Sequence, residues 1–366
     1  MSLLPSDVLL EIFNHIVPSN ISAVDNSFKV DYAQWQTFFY NQHPNAVAGV
    51  CREWRSIALG NPHLWSRWFV KMGTMPSIHP IRCLKRFILR ALSRSANAPL
   101  KFTLHVRISE APKFSPDIIR RMVWDVVGTL SNVQARWESV DFLIHDPFSI
   151  RGERSLKLYP ERLTLIKDIC FDVSCGIVLV SPTPLRSATL AGSCRLQFLE
   201  IKLVAKDQLN ILNYFGEHLE ELRITSRVTS RIAPRDVDLL HSSQQWELKN
   251  LRRLRFVDPS TSPAAATEIF DEFCARITAC SNLKEVVLLG LIDRNFQSMI
   301  DLFSRTTPSL ISARIVLHYQ NLASMDNLFA AFLSLDSVPP ADQINVEDFG
   351  MQKRISFKIH TDQRRI

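Results

Sequence analysis

The chain has 366 residues, of which 46% are hydrophobic and 22% are charged, a composition typical of folded proteins and unlike that of disordered or fibrous chains. Its formal net charge of +7 is concentrated between residues 52 and 121, where 14 Lys or Arg occur with only 3 Asp or Glu. With 10 glycines and no apolar run near the roughly 20 residues that span a bilayer, the sequence predicts neither Gly-rich phosphate loops nor a membrane segment.

The first predicted element is a helix in LLPSDVLLEIFNHIVP, residues 3–18. Ser6 follows Pro5 at a natural N-cap position, and Pro18 ends the run because proline cannot continue a helix. The apolar residues recur at intervals of three and four, which places on one face Val8, Leu9, Ile12, Phe13 and Ile16. Residues 19–45 have a mixed composition and are interpreted as an insertion with one short helix.

Two short helices are predicted in VCREWRSIALGNPHLW, residues 50–65. One helical stripe is formed by Val47, Val50, Cys51, Trp54 and Ala58. Gly60 is predicted to end that helix as a left-handed C-cap. Asn61 is predicted to cap the second helix, whose first turn contains Pro62.

A helix, a strand and a second helix are predicted next. The helix at 81–96 is amphipathic, with a basic side that includes Arg82, Lys85 and Arg90. In PLKFTLHVRI, residues 99–108, apolar and polar residues alternate, which predicts a half-buried strand. Pro116 follows Ser115 at the start of another predicted helix, which reaches about residue 130.

A six-residue pattern, apolar-x-x-apolar-x-apolar, recurs in the rest of the chain. Its seven occurrences begin at residues 137, 185, 196, 219, 251, 283 and 310, and the last four intervals are 23, 32, 32 and 27 residues. A strand plus a helix at this period is the sequence form of a leucine-rich-repeat solenoid, and KRISFKIHTDQRRI at 353–366 reads as a last strand that caps it. The consensus Asn or Cys of such repeats is missing, so an ordinary α/β domain is the alternative.

The N-terminal segments resemble a known family. LLPSDVLLEIF followed by VCREWRSIALGNPHLW resembles the F-box, specifically that of fungal F-box-like proteins with degenerate leucine-rich repeats. The matching residues are Leu4, Pro5, Val8, Leu9, Ile12, Phe13, Val50, Cys51, Arg52, Trp54, Arg55, Ala58, Pro62, Leu64 and Trp65. Four later segments are also similar to that family: SRSANAPLKFTLHV, RWESVDF, PLRSATLAG and HLEELRI.

The repeats and the resemblance together predict the architecture. We expect an α/β fold, α+β overall, in which a short helical F-box precedes an irregular leucine-rich-repeat-like solenoid. The expected domains are an F-box-like helical domain at 1–70, interrupted by the insertion at 19–45, a basic helix–strand–helix region at 71–135, and a repeat domain at 136–366.

The resemblance also implies a function. Proteins of this family are substrate-recognition adaptors of SCF-type (cullin–RING) ubiquitin ligases: the F-box binds a Skp-type adaptor and through it a cullin, and the repeats hold a protein substrate. Residues expected to bind the Skp-type adaptor are Leu4, Pro5, Val8, Leu9, Ile12, Phe13, Val50, Cys51, Trp54, Pro62, Leu64 and Trp65. Of these, we expect Trp54 to pack inside the F-box and the main contacts to come from Leu4, Pro5, Leu9, Ile12 and Val50.

A substrate surface is predicted on the exposed face of the strands, from residues that lie between the apolar positions. They are Glu200, Lys202, Arg223, Thr225, Arg255, Val287, Leu289 and Arg314. This mixed basic and apolar strip favours a protein partner with acidic residues.

No motif with the spacing of a catalytic or metal site was found. The closest cysteine pairs, Cys170 with Cys175 and Cys274 with Cys280, lack C-x-x-C spacing, and the sequence has no H-E-x-x-H, G-x-S-x-G or P-loop. The sequence therefore predicts a non-catalytic protein without a metal or a cofactor.

Two alternatives to the ligase function stay open. One is a solenoid scaffold without a ligase role. The other is a nucleic-acid-binding protein that uses the basic block 52–121, and it is less favoured because no RNA-binding signature accompanies the charge. Seven scattered cysteines and an N-terminus unlike a secretory signal predict reduced thiols and a cytoplasmic or nuclear location.

Overall fold

In a computed structural model of the chain, helices and parallel strands combine in an α/β fold. The structure describes residues 4–15, 22–23, 44–75, 78–108, 115–145, 156–173, 177–179, 196–203, 206–226, 245–257, 263–292, 295–305, 310–318, 334, 344–349 and 352–358. The chain divides into two compact units, Met1–Pro182 and Thr183–Ile366. The expected boundaries at 70 and 135 stay a prediction. Most of the expected insertion at 19–45 and the repeat at 185 lie outside the described residues.

The described residues of the first unit begin with the helices α1 (Ser6–His15), α2 (Asn45–Val50), α3 (Arg52–Gly60) and α4 (Pro62–Trp65). Their shared core consists of Leu9, Phe13, Val47, Ala58, Leu64 and Trp65. The indole Nε1 of Trp65 donates a 2.7 Å hydrogen bond to the carbonyl of Ala58, so this buried donor is satisfied. The helices therefore form a small bundle with its own closed apolar interior.

Two predictions for residues 47–60 were wrong. Cys51 interrupts the expected helical stripe because its backbone is extended (φ −153°, ψ 175°), and its Sγ caps α3 by accepting from the N–H of Trp54 at 3.5 Å. Gly60 does not adopt a positive φ, so it is no left-handed cap; α3 ends instead where Asn61 becomes extended. The predicted cap of the next helix is confirmed, since Asn61 Oδ1 accepts from the N–H of His63 at 3.0 Å.

The rest of the first unit is a parallel sheet with helices between its strands. Its strands, in spatial order, are β1 (Ser22–Ala23), β2 (Arg67–Met75), β3 (Leu100–Ile108), β4 (Trp137–His145) and β6 (Asp168–Val173). Two short strands, β5 (Leu156–Leu158) and β7 (Ile177–Leu179), pair separately. The connecting helices are α5 (His79–Arg94) and α6 (Pro116–Ser131). The predicted helix–strand–helix order is confirmed, and β3 alternates between buried and partly exposed residues as its sequence requires.

The second unit contains five parallel strands followed by an antiparallel hairpin. The parallel strands are β8 (Phe198–Leu203), β9 (Glu221–Ser226), β11 (Arg253–Val257), β13 (Glu285–Ile292) and β14 (Ser312–His318). The hairpin strands β15 (Ile344–Phe349) and β16 (Gln352–Lys358) follow, with β16 beside β14. Two short strands, β10 (Trp246–Glu247) and β12 (Ile277–Ala279), form a small separate pair. Within the described part of this unit, the helices are α7 (Leu212–Phe215), α8 (Pro263–Arg276) and α9 (Phe296–Ser304).

The repeated six-residue pattern coincides with the strands of the second unit. The patterns at 196, 219, 251, 283 and 310 each begin two residues before a strand, and the three apolar residues of each are buried. In the repeats at 219 and 251, for example, Leu222 and Ile224 pair in register with Leu254 and Phe256. The buried apolar side chains thus form continuous rows across the sheet, as expected when the period of two sends every second residue to the core.

A backbone hydrogen bond recurs at the residue after the first apolar position in the repeats at 219, 251, 283 and 310. The N–H of Arg252 donates to the carbonyl of Glu220 at 2.8 Å, and the N–H of Lys284 donates to Arg252 at 2.9 Å. The N–H of Ile311 then donates to Lys284 at 2.7 Å. The side chain of the asparagine before the pattern adds a parallel bond, from Asn250 to the carbonyl of Glu217 and from Asn282 to that of Lys249. These bonds set a common register for strands whose connections differ in length.

Candidate functional site

Helix α1 is apolar on two sides. Leu9 and Phe13 are buried in the core of the helical bundle. Leu4, just before the helix, and Val8 and Ile12 within it are 51%, 40% and 37% exposed. These three residues are spaced by four, so they follow one line along the helix surface. We call them the α1 stripe.

Other exposed apolar residues of the N-terminal helices lie near their ends. Val50, the last residue of α2, is 61% exposed, and Leu59 of α3 is also exposed. Pro5 and Cys51 are exposed as well, and Pro62 is half-buried. Of the twelve residues predicted to bind an adaptor, the structure therefore leaves the α1 stripe, Pro5, Val50 and Cys51 on the surface.

Apart from Pro62, the remaining predicted contact residues pack in the core of the bundle. Four of them are buried: Leu9, Phe13, Leu64 and Trp65. The half-buried Trp54 packs as expected, with its ring centroid 4.9 Å from that of Phe13. These residues, including the expected main contact Leu9, are enclosed in the isolated chain, so their contact with an adaptor stays a prediction that requires the bundle to open.

The predicted substrate residues lie together on one face of the second sheet. Strand register places five of them in a single row that crosses β8, β9, β11, β13 and β14: Glu200, Arg223, Arg255, Val287 and Arg314. The other three lie in the next row, which contains Lys202, Thr225, Val257, Leu289 and Val316. We call these the first and second outer rows. Residues paired in register share a face, so both rows lie opposite the buried apolar rows.

Two residues of the second outer row were not identified from the sequence. Val257 and Val316 are half-buried apolar residues on either side of Leu289. Each lies six positions after the first apolar residue of its repeat, as do Thr225 and Leu289. Counting six positions from every repeat start would have found them, whereas the prediction named the sixth position only in the repeats that gave Lys202, Thr225 and Leu289.

The arginines of the first outer row differ in their partners. The guanidinium of Arg223 contacts Glu221 at 2.6 Å and Glu200 at 3.4 Å, so two carboxylates surround one cation. Arg255 and Arg314 are exposed, and no carboxylate of the described residues lies within 4.0 Å of either guanidinium. Among the described arginines of this row, Arg255 and Arg314 are therefore the two without a carboxylate partner among the described residues.

The basic block 52–121 is distributed around the first unit. Lys85 pairs with Asp125, and Lys101 lies 3.0 Å from Glu138. Arg82, Arg86 and Arg90 are exposed along one line of α5. The described aromatic residues of the block are buried or half-buried. Trp65, Trp68, Phe87 and Phe102 are buried, and Trp54 and Phe69 are half-buried, with Lys71 over the ring of Phe69. Exposed aromatic rings on which bases could stack are therefore scarce among the described residues of the block.

Two buried thiols and one carboxylate have pKa values that are shifted by burial and by contacts with lysines. Burial raises the pKa of the Cys280 thiol to about 12 and that of Cys274 well above its ordinary value. Burial also raises the pKa of Glu138, but hydrogen bonds from Lys167 and Lys101 outweigh it, and the net pKa is below the ordinary value. Within the described ranges, no group of three or more His, Cys, Asp or Glu side chains is arranged to hold a metal ion.

No protein-family model, curated protein or solved structure gives a significant match to the chain. Among the residues described by the structure, no helix has both the length and the apolar character needed to cross a bilayer.

Proposed function

We propose that this chain is the substrate-recognition subunit of an SCF-type ubiquitin ligase, with an F-box that binds a Skp-type adaptor and, through it, a cullin. The observation that carries the proposal is the α1 stripe. A helical bundle with a closed core has no internal use for the line formed by Leu4, Val8 and Ile12, and exposed apolar residues in such a line are typical of a helix-packing interface.

The sequence supports the same proposal. The segments that resemble the F-box, LLPSDVLLEIF and VCREWRSIALGNPHLW, correspond to α1 and to the helices α3 and α4. The surface residues Pro5, Val50 and Cys51 then complete the adaptor-binding face, while Phe13, Trp54 and Trp65 maintain the bundle. The later strands act as a leucine-rich-repeat-like solenoid that holds a protein substrate, and the complex works in the cytoplasm or the nucleus.

The test is co-expression of the full chain with a fungal Skp-type adaptor, followed by size-exclusion chromatography. We expect a stable one-to-one complex that is lost when residues 1–65 are deleted. The Val8→Asp/Ile12→Asp double variant should lose the complex while its circular-dichroism melting curve stays unchanged, because both side chains are already exposed to water.

A matched control separates a specific interface from a general effect of added charge. Leu89 of α5 is exposed and apolar, like Val8, but lies outside the N-terminal helices. The Leu89→Asp variant should form the complex normally. A full chain that is monodisperse and ignores the adaptor would overturn the ligase proposal and favour a scaffold without a ligase role.

The nucleic-acid alternative is supported by one observation, the line of Arg82, Arg86 and Arg90 on α5. Backbone binding by these cations would weaken steeply with rising salt. Binding of single-stranded RNA that falls with salt, and falls further in the Arg82→Gln/Arg90→Gln variant, would support this alternative. It is the weaker proposal because the neighbouring aromatic rings are largely enclosed.

A further inference from the structure

The outer rows of the second sheet combine uncompensated cations with apolar side chains. Arg255 on β11 and Arg314 on β14 lie in one row, and Val287 of β13 lies between them. At about 4.8 Å per strand, the two arginine Cα atoms are roughly 10 Å apart. Two side chains of arginine length can therefore reach one extended segment that crosses the strands.

The contrast with Arg223 shows why these two arginines matter. Arginines on exposed sheet faces gain from a carboxylate partner, and Arg223 has two, Glu200 and Glu221. Arg255 and Arg314 lack both kinds of partner: their register neighbours are Arg223, Val287 and Ser356. The residues two positions before them on their own strands are Arg253 and Ser312, not carboxylates. A guanidinium is weakly hydrated and binds carboxylates through paired hydrogen bonds, so an acidic group from another molecule fits this position.

The second outer row supplies the apolar part of the surface. Val257, Leu289 and Val316 are register neighbours and are each partly exposed. Partly exposed aliphatic side chains gain free energy when a further apolar group removes them from water. The row is two residues further along the same strands than Arg255 and Arg314, so one segment can contact both.

We propose that this face binds an acidic segment of the protein substrate, with a carboxylate at Arg255 or Arg314 and an apolar side chain on the row Val257, Leu289 and Val316. The inference rests on the proposed function, because it names the chemistry of the substrate segment. Charge complementarity selects the partner: a basic or neutral segment leaves both guanidinium groups unpaired in the interface, which costs free energy.

The proposal is tested by fluorescence anisotropy with the full chain and no Skp-type adaptor. The probe is a dye-labelled dodecapeptide of alternating Glu and Leu, and the comparison peptides alternate Glu with Ser and Lys with Leu. We expect the Glu–Leu peptide to bind, the Glu–Ser peptide to bind at least about tenfold more weakly, and the Lys–Leu peptide not to bind. Equal binding of the Glu–Leu and Lys–Leu peptides would overturn the proposal, as would no binding of the Glu–Leu peptide.

Two double variants locate the site. Arg255→Gln/Arg314→Gln should weaken binding of the Glu–Leu peptide at least about tenfold. The control Arg252→Gln/Arg253→Gln removes the same net charge beside and within β11, but these arginines already pair with Glu220 and Glu221. It should change the affinity less than about twofold, and an equal loss in both variants would overturn the proposal. Because the assay contains no adaptor, its outcome is independent of whether the F-box binds one.

Discussion

The N-terminal helices and the sheet of the second unit separate core from surface in different ways. In strand β9 of the sheet, the two-residue period buries Leu222 and Ile224 and leaves Arg223 on the outer face. In α1, the residues on both sides are apolar: Leu9 is buried and Val8 is exposed. The comparison shows that the two proposed interfaces differ in kind, because one presents apolar side chains and the other presents charge beside them.

The largest expected effect concerns the core of the helical bundle. Trp65→Ala should lower the free energy of unfolding by about 3–5 kcal/mol, because it leaves a large cavity and an unpaired carbonyl at Ala58. Val50→Ala, at an exposed position, should change it by less than about 0.5 kcal/mol. Urea denaturation, monitored by far-ultraviolet circular dichroism, measures the free energy of unfolding of both variants. Similar losses in the two variants would contradict the assignment of core and surface.

A corresponding contrast is expected within strand β9. Leu222→Ala should cost about 2–5 kcal/mol, since Leu222 is buried between its register partners Leu199 and Leu254. The neighbouring substitution Thr225→Ala, on the outer face, should cost less than about 0.5 kcal/mol. The urea concentrations at the midpoints of unfolding of the two variants give this comparison. If Thr225→Ala proved as damaging as Leu222→Ala, the outer row would be part of the core.

A smaller and pH-dependent effect is expected at Glu138, which contacts Lys101 at 3.0 Å and Lys167 at 2.8 Å. Its pKa in the folded chain is lower than in the unfolded chain, so the unfolded state binds more protons at acidic pH. The stabilisation is complete above the ordinary pKa of about 4.3 and is lost as the pH falls through the folded pKa. Denaturation between pH 7 and 3 should show a shallower decline for Glu138→Gln, by less than about 1 kcal/mol. An identical decline in both proteins would refute the role of this carboxylate.

The smallest effect, on reactivity rather than stability, distinguishes the thiols of the two regions. Cys51 is exposed among the N-terminal helices, whereas Cys274 and Cys280 are buried in the second unit with raised pKa values. Because the thiolate is the reactive form, iodoacetamide at pH 8 should modify Cys51 and spare Cys274 and Cys280 until urea is added. Peptide mapping by mass spectrometry measures this. Adding the Skp-type adaptor should then slow the reaction of Cys51, and rapid native labelling of Cys280 would contradict its burial.

The sequence predicts some of the strands and misses others. Alternation in residues 100–108 and the repeated pattern placed β3, β4, β8, β9, β11, β13 and β14, because a strand needs only a two-residue period, which side-chain polarity displays directly. The strands β2 and β6 were not predicted. The break at Cys51 was missed, because a thiol is a rare helix cap and the apolar spacing continues through it. The exposure of Val8 and the burial of Leu9 were also beyond the sequence, since both belong to one apolar face and only the packing of α3 and α4 decides between them.

The candidate surfaces were predicted in outline. The spacing of the apolar residues placed Arg223, Arg255 and Arg314 on one face. It could not show which of these arginines has a carboxylate partner. That distinction depends on which residues become neighbours across strands separated by 23 to 32 residues in the chain. Sequence spacing within one strand contains no information of this kind.

The backbone hydrogen bond that recurs after the first apolar residue of the repeats bears on where related sequences can differ in length. Arg252, Lys284 and Ile311 make the same bond although the repeats start 32 and 27 residues apart. The connections between strands can therefore differ in length. Insertion or deletion of loop residues leaves the register between neighbouring strands unchanged. Deleting one residue inside a repeat would instead exchange the inner and outer faces of that strand, so natural variants should concentrate their length changes between the repeats.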